Sequence, residues 1–154
     1  MGPIVFLPWL VFLGQHGSVL IDQASLRIGL GPDCGHVRRT YIAEVARSLP
    51  AKTRGLSGRR KALKSEEAML FVYESPRKVS YWMRETFIPL EIGYFDGKGR
   101  LTDKYPMSVE PNPSDPKNHY PSRGDVSAAL EVAPGGFRDL PPGKTSLCVE
   151  RPAR

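Results

Sequence analysis

Hydrophobic and polar residues alternate over short stretches of this chain, and glycine and proline separate the stretches. The alternation is clearest at 79–86 and at 90–94, on either side of Pro89. Successive side chains of a strand point to opposite faces, and proline lacks the N–H that a central strand position needs. The pattern predicts two strands joined by a short turn, a hairpin that spans residues 79–95.

The two faces of this predicted hairpin differ in chemistry. One face is apolar and continues through the second strand, which is typical of a core. The other face carries Trp82, Arg84 and Thr86 on the first strand and Glu91 on the second. In a paired hairpin, Arg84 and Glu91 would be near neighbours.

Further strands are predicted by apolar or alternating runs at 40–46, 69–73, 100–108, 128–132 and 146–150. A short helix is expected within 50–64, and a proline-rich irregular loop at 110–123. Many short elements ended by turn residues favour a mainly β fold. We expect an antiparallel β-sandwich or partly open barrel with one or two short helices.

The length of 154 residues favours a single domain. We place this domain at 40–150, preceded at 1–39 by a weak export signal and a linker. The run 4–13 is apolar throughout; it is too short to span a bilayer, which takes about 20 residues, but it matches the apolar part of a secretory signal. No Lys or Arg precedes it. An exported, periplasmic protein is therefore one expectation; a cytoplasmic protein with a buried N-terminal strand is the alternative.

Charge and cysteines leave two further questions open. The net charge is +6, and 47–64 holds seven basic residues and no acidic one. This stretch is interpreted as a solvated surface rather than a nucleic-acid or membrane patch, because no nucleic-acid motif accompanies it. Membrane proximity is expected only through the run 4–13. Cys34 and Cys148 would pair in an exported protein, or remain as two thiols in a reducing compartment.

Candidate catalytic residues are few. The chain has three histidines and no G-x-S-x-G motif, and no set of residues has the spacing of a metal site, so neither a metal nor a cofactor is expected. Two carboxylates, Glu91 and Glu131, could form a hydrolytic pair. Arg54 could be a site cation or a clamp that ties the short helix to the sheet.

Several short motifs occur in a characteristic order. They are RGL at 54–56, MLF at 69–71, YWMRET at 81–86, PLEI at 89–92, YPS at 120–122 and ALEV at 129–132. With them the chain resembles the bacterial family called domain of unknown function 192. The resemblance implies a mainly antiparallel β-sandwich or partly open barrel, often after an export signal, and no established activity. That family usually has Asn at the place of Glu85 and Asp at the place of Glu91, so any polar site of the relatives would differ here in reach and charge.

Together these observations predict a small exported, non-catalytic β-domain that binds a small molecule or a protein partner. The expected binding face consists of Trp82, Arg84, Thr86, Glu91 and Glu131, with Tyr120 and Ser122 as a roof and Arg54 nearby. The hydrolase with Glu91 and Glu131 is the alternative function. In a purely structural interpretation, Trp82 packs beneath the proline-rich loop and Arg84 pairs with an acid.

Overall fold

The computed structural model describes residues 22–150, and this part of the chain is mainly β, as predicted. It has a single α-helix of six residues. The elements are β1 (Gln23–Leu30), β2 (His36–Ala46), α1 (Leu49–Arg54), β3 (Glu67–Arg77), β4 (Ser80–Tyr81), β5 (Leu90–Phe95), β6 (Leu101–Met107), β7 (Tyr120–Pro121), β8 (Val126–Val132) and β9 (Thr145–Val149).

Seven of these strands form one sheet in the order β6-β5-β8-β3-β2-β1-β9, and β4 pairs with β7 in a second, small sheet. All pairs are antiparallel except β2 with β3. Parallel neighbours need a crossover connection, which here is α1 and the loop after it. The large sheet curls until Arg100, just before β6, bridges Ser146 of β9. The result is sandwich-like and partly open, without a closed barrel.

Both faces of the large sheet are covered, and each has its own apolar core. The first core contains Leu26, Ile28, Leu70, Leu130 and Phe137 among others. The second core lies on the opposite face and includes Phe71, Met83, Ile92, Tyr94 and Ala129. Side chains on both faces of the central strands β5, β3 and β8 therefore lie in hydrophobic surroundings. This explains the nearly continuous apolar sequences of these strands.

The predicted hairpin at 79–95 is wrong in its pairing. Its first strand is only Ser80–Tyr81, and its partner is Tyr120–Pro121 rather than β5. The chain then turns: the N–H of Thr86 donates to the carbonyl of Met83 at 3.2 Å, and Glu85 has a φ of 49°. A residue in this left-handed conformation cannot continue a strand, so residues 82–89 form a loop that leads into β5.

The prediction of a linker up to residue 39 is also wrong within the described chain. Residues 23–30 form β1, which pairs with both β2 and β9, and β2 already begins at His36. Leu26 and Ile28 alternate with polar residues and are fully buried, so this segment has the pattern of a half-buried strand. The run 4–13, expected as an export signal, lies outside the described residues.

Helix α1 is shorter than the predicted segment 50–64. Ser48 caps its start, because its side chain accepts a hydrogen bond from the N–H of Ala51 at 3.3 Å, and Pro50 occupies the first turn. Gly55 ends the helix with a φ of 48°. Between residues 22 and 150, no helix has both the length and the apolar character needed to cross a bilayer.

The two cysteines form a disulfide bond. Cys34 lies in a 3₁₀ turn between β1 and β2, and Cys148 lies in the edge strand β9; their Cα atoms are 6.3 Å apart. The bond closes a segment of the chain with a sequence separation of 114. It therefore fastens the last strand to the beginning of the domain.

Candidate functional site

The side chain of Trp82 is exposed on the loop between β4 and β5, with 47% of its surface accessible. The guanidinium carbon of Arg84 lies 5.6 Å from the centre of the Trp82 ring. The ring of His119, from the proline-rich loop, lies 5.7 Å away on centroids. Trp82, Arg84 and His119 thus form one surface, here called the indole surface.

The backbone around Glu85 holds two other loops against the indole surface. The N–H of Gly58 donates to the carbonyl of Glu85 at 2.7 Å, and the N–H of Glu85 donates to the carbonyl of Pro113 at 2.9 Å. The hydroxyl of Ser114 donates to the Glu85 carboxylate at 2.5 Å. The loop after α1 and the proline-rich loop are therefore joined at this turn.

Thr86 shapes this turn and is not part of the exposed surface. It is 6% exposed, and its hydroxyl donates to the carbonyl of Arg84 at 3.1 Å. Its prediction as an outward-facing residue of a strand fails because the strand ends at Tyr81. The Thr86 side chain can position Arg84, but it contributes little area to a ligand.

Tyr120 and Ser122 lie in and beside β7, where they join the two short strands to the main sheet. The hydroxyl of Ser122 accepts from the N–H of Val79 at 3.1 Å and donates to the carbonyl of Gly124 at 2.8 Å. The carbonyl of Tyr120 accepts a hydrogen bond from the hydroxyl of Tyr94. These bonds give both residues a supporting role, although His119 next to Tyr120 does reach Trp82.

Glu91 lies on the face of the sheet that contacts the loop after β8. Its two carboxylate oxygens accept from the N–H groups of Gly135 at 2.8 Å and Phe137 at 2.9 Å. The expected pair between Arg84 and Glu91 is therefore not formed, and within 22–150 Arg84 makes no ion pair. Glu91 anchors a loop instead of completing the indole surface.

Glu131 lies in β8 and points into the second core. It is 5% exposed. Burial raises its pKa from 4.5 to about 8, because an apolar environment disfavours the charged form. At neutral pH this carboxyl group is mostly protonated.

The two carboxylates cannot form a hydrolytic pair. Ile92 is the direct partner of Glu131 across the strands, so Glu91, one residue earlier, faces the other side of the sheet. A bond to be cleaved has to lie between both carboxyl groups. This geometry removes the structural basis of the alternative hydrolase function.

Tyrosines surround Glu131, and the sequence analysis missed them as a group. The hydroxyls of Tyr73 and Tyr81 are 2.6 Å apart, and burial raises the pKa of both and of Tyr94, with the charge of Glu131 as a smaller contribution. Each of these three tyrosines lies in a different strand, β3, β4 or β5, so no local spacing in the sequence groups them.

Two further polar side chains are those of Arg54 and Asp103. Arg54 is exposed at the end of α1 and makes no ion pair in the described part of the chain, so the proposed clamp to the sheet is not formed. Asp103, which was not predicted, is 4% exposed and accepts from the N–H of Arg123 at 3.1 Å. Its second oxygen lies 3.1 Å from Nε of Arg123 without the alignment of a hydrogen bond.

Two shallow clefts lie away from the indole surface. One of about 250 Å³ is bordered by residues of β2, β3 and the loop after α1, including Glu44, Arg59 and Glu67. The other, of about 230 Å³, is next to Asp103 and Arg123. Trp82 and Arg84 border neither of them. Residues 22–150 contain no cluster of His, Cys, Asp and Glu that could hold a metal ion.

Comparison with known proteins places this architecture among uncharacterised relatives. The model of domain of unknown function 192, described as Uncharacterized ACR, matches residues 34–145. The chain is 25% identical to a candidate transcription regulator from Sinorhizobium meliloti 1021, with a TM-score of 0.72 over 86% of this chain and 98% of that one.

A second solved structure supports the fold alone. A protein of unknown function from Novosphingobium aromaticivorans DSM 12444 is 23% identical, with a TM-score of 0.67 over 82% of this chain and 84% of that one. No curated protein matches the chain significantly. The comparisons thus supply a family and a fold, and leave the activity to be inferred from the site.

Proposed function

The chain belongs to the family of domain of unknown function 192, and we propose that this member is a small exported domain without catalytic activity. It binds a small molecule or a protein partner through the indole surface. The single observation that carries this proposal is the exposure of Trp82 next to an arginine that has no acidic partner within 22–150.

The chemistry of the indole surface indicates the kind of ligand. An exposed indole offers a flat apolar plane on which a sugar or an aromatic ring can stack. The guanidinium of Arg84 offers a planar fork of donors that fits a carboxylate or a phosphate. A ligand that combines a ring with such an anionic group would use both side chains at once.

A purely structural role would predict a different environment. Trp82 would be covered by the proline-rich loop, and Arg84 would be paired with Glu91 or Glu131. Instead Trp82 is half exposed, and its ring lies 5.7 Å on centroids from the ring of His119 in that loop. Both acids are separated from Arg84, one by its bonds to the loop after β8 and one by its burial in the core. This arrangement supports binding over scaffolding.

Export is supported by the disulfide bond between Cys34 and Cys148. Disulfides persist in oxidising compartments such as the periplasm and are rare in the cytosol. The apolar run at 4–13 has the length of the central part of a secretory signal. Mass spectrometry of the N-terminus in the native host tests this: an intact Met1 in a cytosolic fraction would contradict export.

Ligand binding can be measured by fluorescence of a single indole. The chain has two tryptophans, Trp9 and Trp82, so a Trp9→Phe background leaves Trp82 as the reporter. We expect quenching or a spectral shift with some members of a panel of hexose phosphates, uronic acids and aromatic carboxylates. Calorimetry then gives the affinity of each compound that changes the signal.

Two substitutions test which side chains bind. Trp82→Ala and Arg84→Ala should abolish binding in calorimetry and leave the melting temperature within a few degrees, because both side chains are exposed. Arg38→Ala, an exposed arginine at the start of β2, serves as the matched control and should bind normally. If the two variants lose stability while no compound in the panel binds, the structural role is correct and the proposal is wrong.

A further inference from the structure

A cleft of about 230 Å³ lies along one edge of the large sheet. It is lined by residues 102–105 of β6 and, from two loops, by Arg123 and Pro142. β6 is the end strand of the sheet and pairs with β5 alone among the described strands. Because successive strand residues point to opposite faces, four in a row can line a cleft only if it follows the edge. We call it the edge cleft.

Both walls of the edge cleft are bonded to the strand between them. The N–H of Gly143, next to Pro142, donates to the carbonyl of Leu101 at 2.8 Å. The N–H of Arg123 donates to the carboxylate of Asp103 at 3.1 Å. The backbone of each wall is therefore positioned by β6 itself.

Asp103 contributes a buried acid whose hydrogen bonds are incomplete. Its side chain is 2% exposed. Oδ2 accepts from the N–H of Arg123 and lies 3.1 Å from the hydroxyl of Thr102. Oδ1 has no hydrogen-bond partner within the described chain, although Nε of Arg123 lies 3.1 Å away. Buried carboxylate oxygens normally accept at least one hydrogen bond, so Oδ1 has acceptor capacity left for a ligand.

The side chain of Arg123 can make way for such a ligand. It is 85% exposed, and an ion pair with so exposed a partner contributes little to stability. A donor group of a ligand can therefore replace Nε beside Oδ1 of Asp103 at small cost. The guanidinium keeps a planar set of N–H donors that can bond to acceptor atoms of the same ligand.

The charges around the edge cleft favour a neutral ligand. The carboxylate of Asp103 opposes an anion, whereas Arg123 and Lys104 oppose a cation. A hydroxyl group is neutral and can both donate to a carboxylate and accept from a guanidinium. The cleft is smaller than the usual ~300–1,000 Å³ of pockets for drug-sized ligands, so its size suits a single ring.

A free strand edge can also take up an extended peptide as an added strand. β6 contains Lys104 and Pro106, and lysine and proline at a sheet edge oppose the addition of a strand. Pro106 also lacks the N–H that such pairing would use. The sequence of β6 therefore favours a small ligand over a peptide.

From these observations we propose that the edge cleft binds one neutral sugar ring. Neighbouring hydroxyls of the sugar donate to Oδ1 of Asp103 and accept from Arg123. The C–H groups of the ring pack against Tyr105 and Pro142, which supply apolar surface in the same cleft. Trp82 and Arg84 do not border this cleft, so the proposal adds a second binding site and does not rest on the indole surface.

Nuclear magnetic resonance of the ¹⁵N-labelled full-length chain tests the edge cleft. The probes are the methyl glycosides of glucose, galactose and mannose, titrated into the millimolar range. We expect at least one of them to shift the backbone amide signals of Thr102, Lys104 and Arg123 until saturation. The indole N–H signal of Trp82 should stay unchanged in the same titration.

Two variants test the side chains that contact the sugar. Arg123→Gln should weaken binding about tenfold or more, because a charged donor is lost. Asp103→Asn should weaken it similarly, because the amide can keep one oxygen for the N–H of Arg123 while its NH₂ group replaces the other acceptor. Arg38→Gln, which changes an exposed arginine in β2, is the matched control and should bind normally.

Thermal unfolding shows whether each variant is folded. Arg123 is exposed, so its substitution should leave the melting temperature nearly unchanged, and Arg123→Gln decides the question even if Asp103→Asn is unstable.

Several results would overturn the proposal. Absence of saturable shifts with all three glycosides would remove the sugar site. Shifts of the same amides by inorganic phosphate or methylammonium, with none from the glycosides, would make the edge cleft a site for ions. Glycoside binding that survives Arg123→Gln but is lost in Trp82→Ala would place the sugar on the indole surface. A negative result at the edge cleft leaves the proposed function intact, because Trp82 fluorescence tests that function separately.

Discussion

Glu131 is the residue whose environment departs furthest from its sequence context. It occupies a strand position that alternation places opposite Leu130 and Val132, and on that face the structure has a second core instead of solvent. The buried carboxyl group keeps its proton at neutral pH because burial raises its pKa to about 8. A protonated acid among tyrosines adds a polar group to the core without adding a charge.

This burial makes stability depend on pH. The unfolded chain releases the Glu131 proton near its ordinary pKa of 4.5, whereas the folded chain keeps it up to about 8. Between these values the folded state binds more protons, so the free energy of unfolding falls as pH rises, by about 1.4 kcal/mol per pH unit. Below pH 4.5 the stabilising contribution of protonated Glu131 is fully present, and above about pH 8 this contribution is lost.

Glu131→Gln should remove this pH dependence. The amide resembles the protonated acid in shape but cannot ionise, so the variant and the unsubstituted protein should be similarly stable at pH 4. As the pH approaches 8, the free energy of unfolding of the variant should exceed that of the unsubstituted protein by up to about 5 kcal/mol. Urea unfolding across this range gives both curves; parallel curves would show that Glu131 does not hold its proton.

Glu85 shows a local conflict between side chain and backbone. Its φ of 49° is a conformation in which asparagine is enriched and most other residues are strained. Glu85→Asn should raise the free energy of unfolding by about 1 kcal/mol, offset in part by loss of the bond from Ser114. Thermal unfolding measures the change, with Glu74→Asn in β3 as a control that should show no gain.

Among the elements, the loop after β8 is held by a side chain that is distant in sequence. Glu91 in β5 accepts hydrogen bonds from the N–H groups of Gly135 and Phe137, and the ring of Phe137 is buried in the first core. A carboxylate can accept both bonds because it has two oxygens, and bonds to a charged acceptor are stronger than neutral ones. The position is therefore an anchor for the loop.

Glu91→Gln should loosen this loop. The amide has a single acceptor oxygen, so one N–H loses its partner, at a cost of about 1–3 kcal/mol. Hydrogen exchange at Gly135 and Phe137 should accelerate, and the urea midpoint should fall. Glu44→Gln, a half-buried position without such bonds in the described chain, should leave both unchanged. Unchanged exchange in Glu91→Gln would contradict the anchoring role.

At the scale of the whole molecule, the disulfide bond joins the turn after the first strand to the last strand of the large sheet. This last strand is the edge strand β9, which also pairs with β1 and bridges Arg100 through Ser146. Cross-linking residues so far apart restricts the unfolded chain strongly. For a loop of this length the loop-closure model gives about 4–5 kcal/mol.

Replacement of both cysteines should reveal that contribution. Cys34→Ser with Cys148→Ser should lower the free energy of unfolding by about 4 kcal/mol, and β9 should exchange its amide protons faster. A reducing agent should destabilise the unsubstituted protein to a similar extent and should not affect the double variant. Equal stability with and without reductant in the unsubstituted protein would show that the bond does not support the fold.

The sequence alone determined the mainly β character and the approximate position of most strands. Predictions at 40–46, 69–73, 100–108 and 128–132 fall within or overlap β2, β3, β6 and β8, because alternation and turn residues are local signals. The exposure of Trp82 was also anticipated, although the strand expected to expose it became a loop.

Tertiary structure decided what covers each face and which strands pair. A period of two tells which residues share a face, but it does not tell whether that face meets solvent or a second core. For this reason Glu131 was expected at the surface and is buried, and β4 pairs with β7, far away in sequence, instead of with the adjacent β5. Such pairings depend on the packing of the whole chain, which no local sequence pattern predicts.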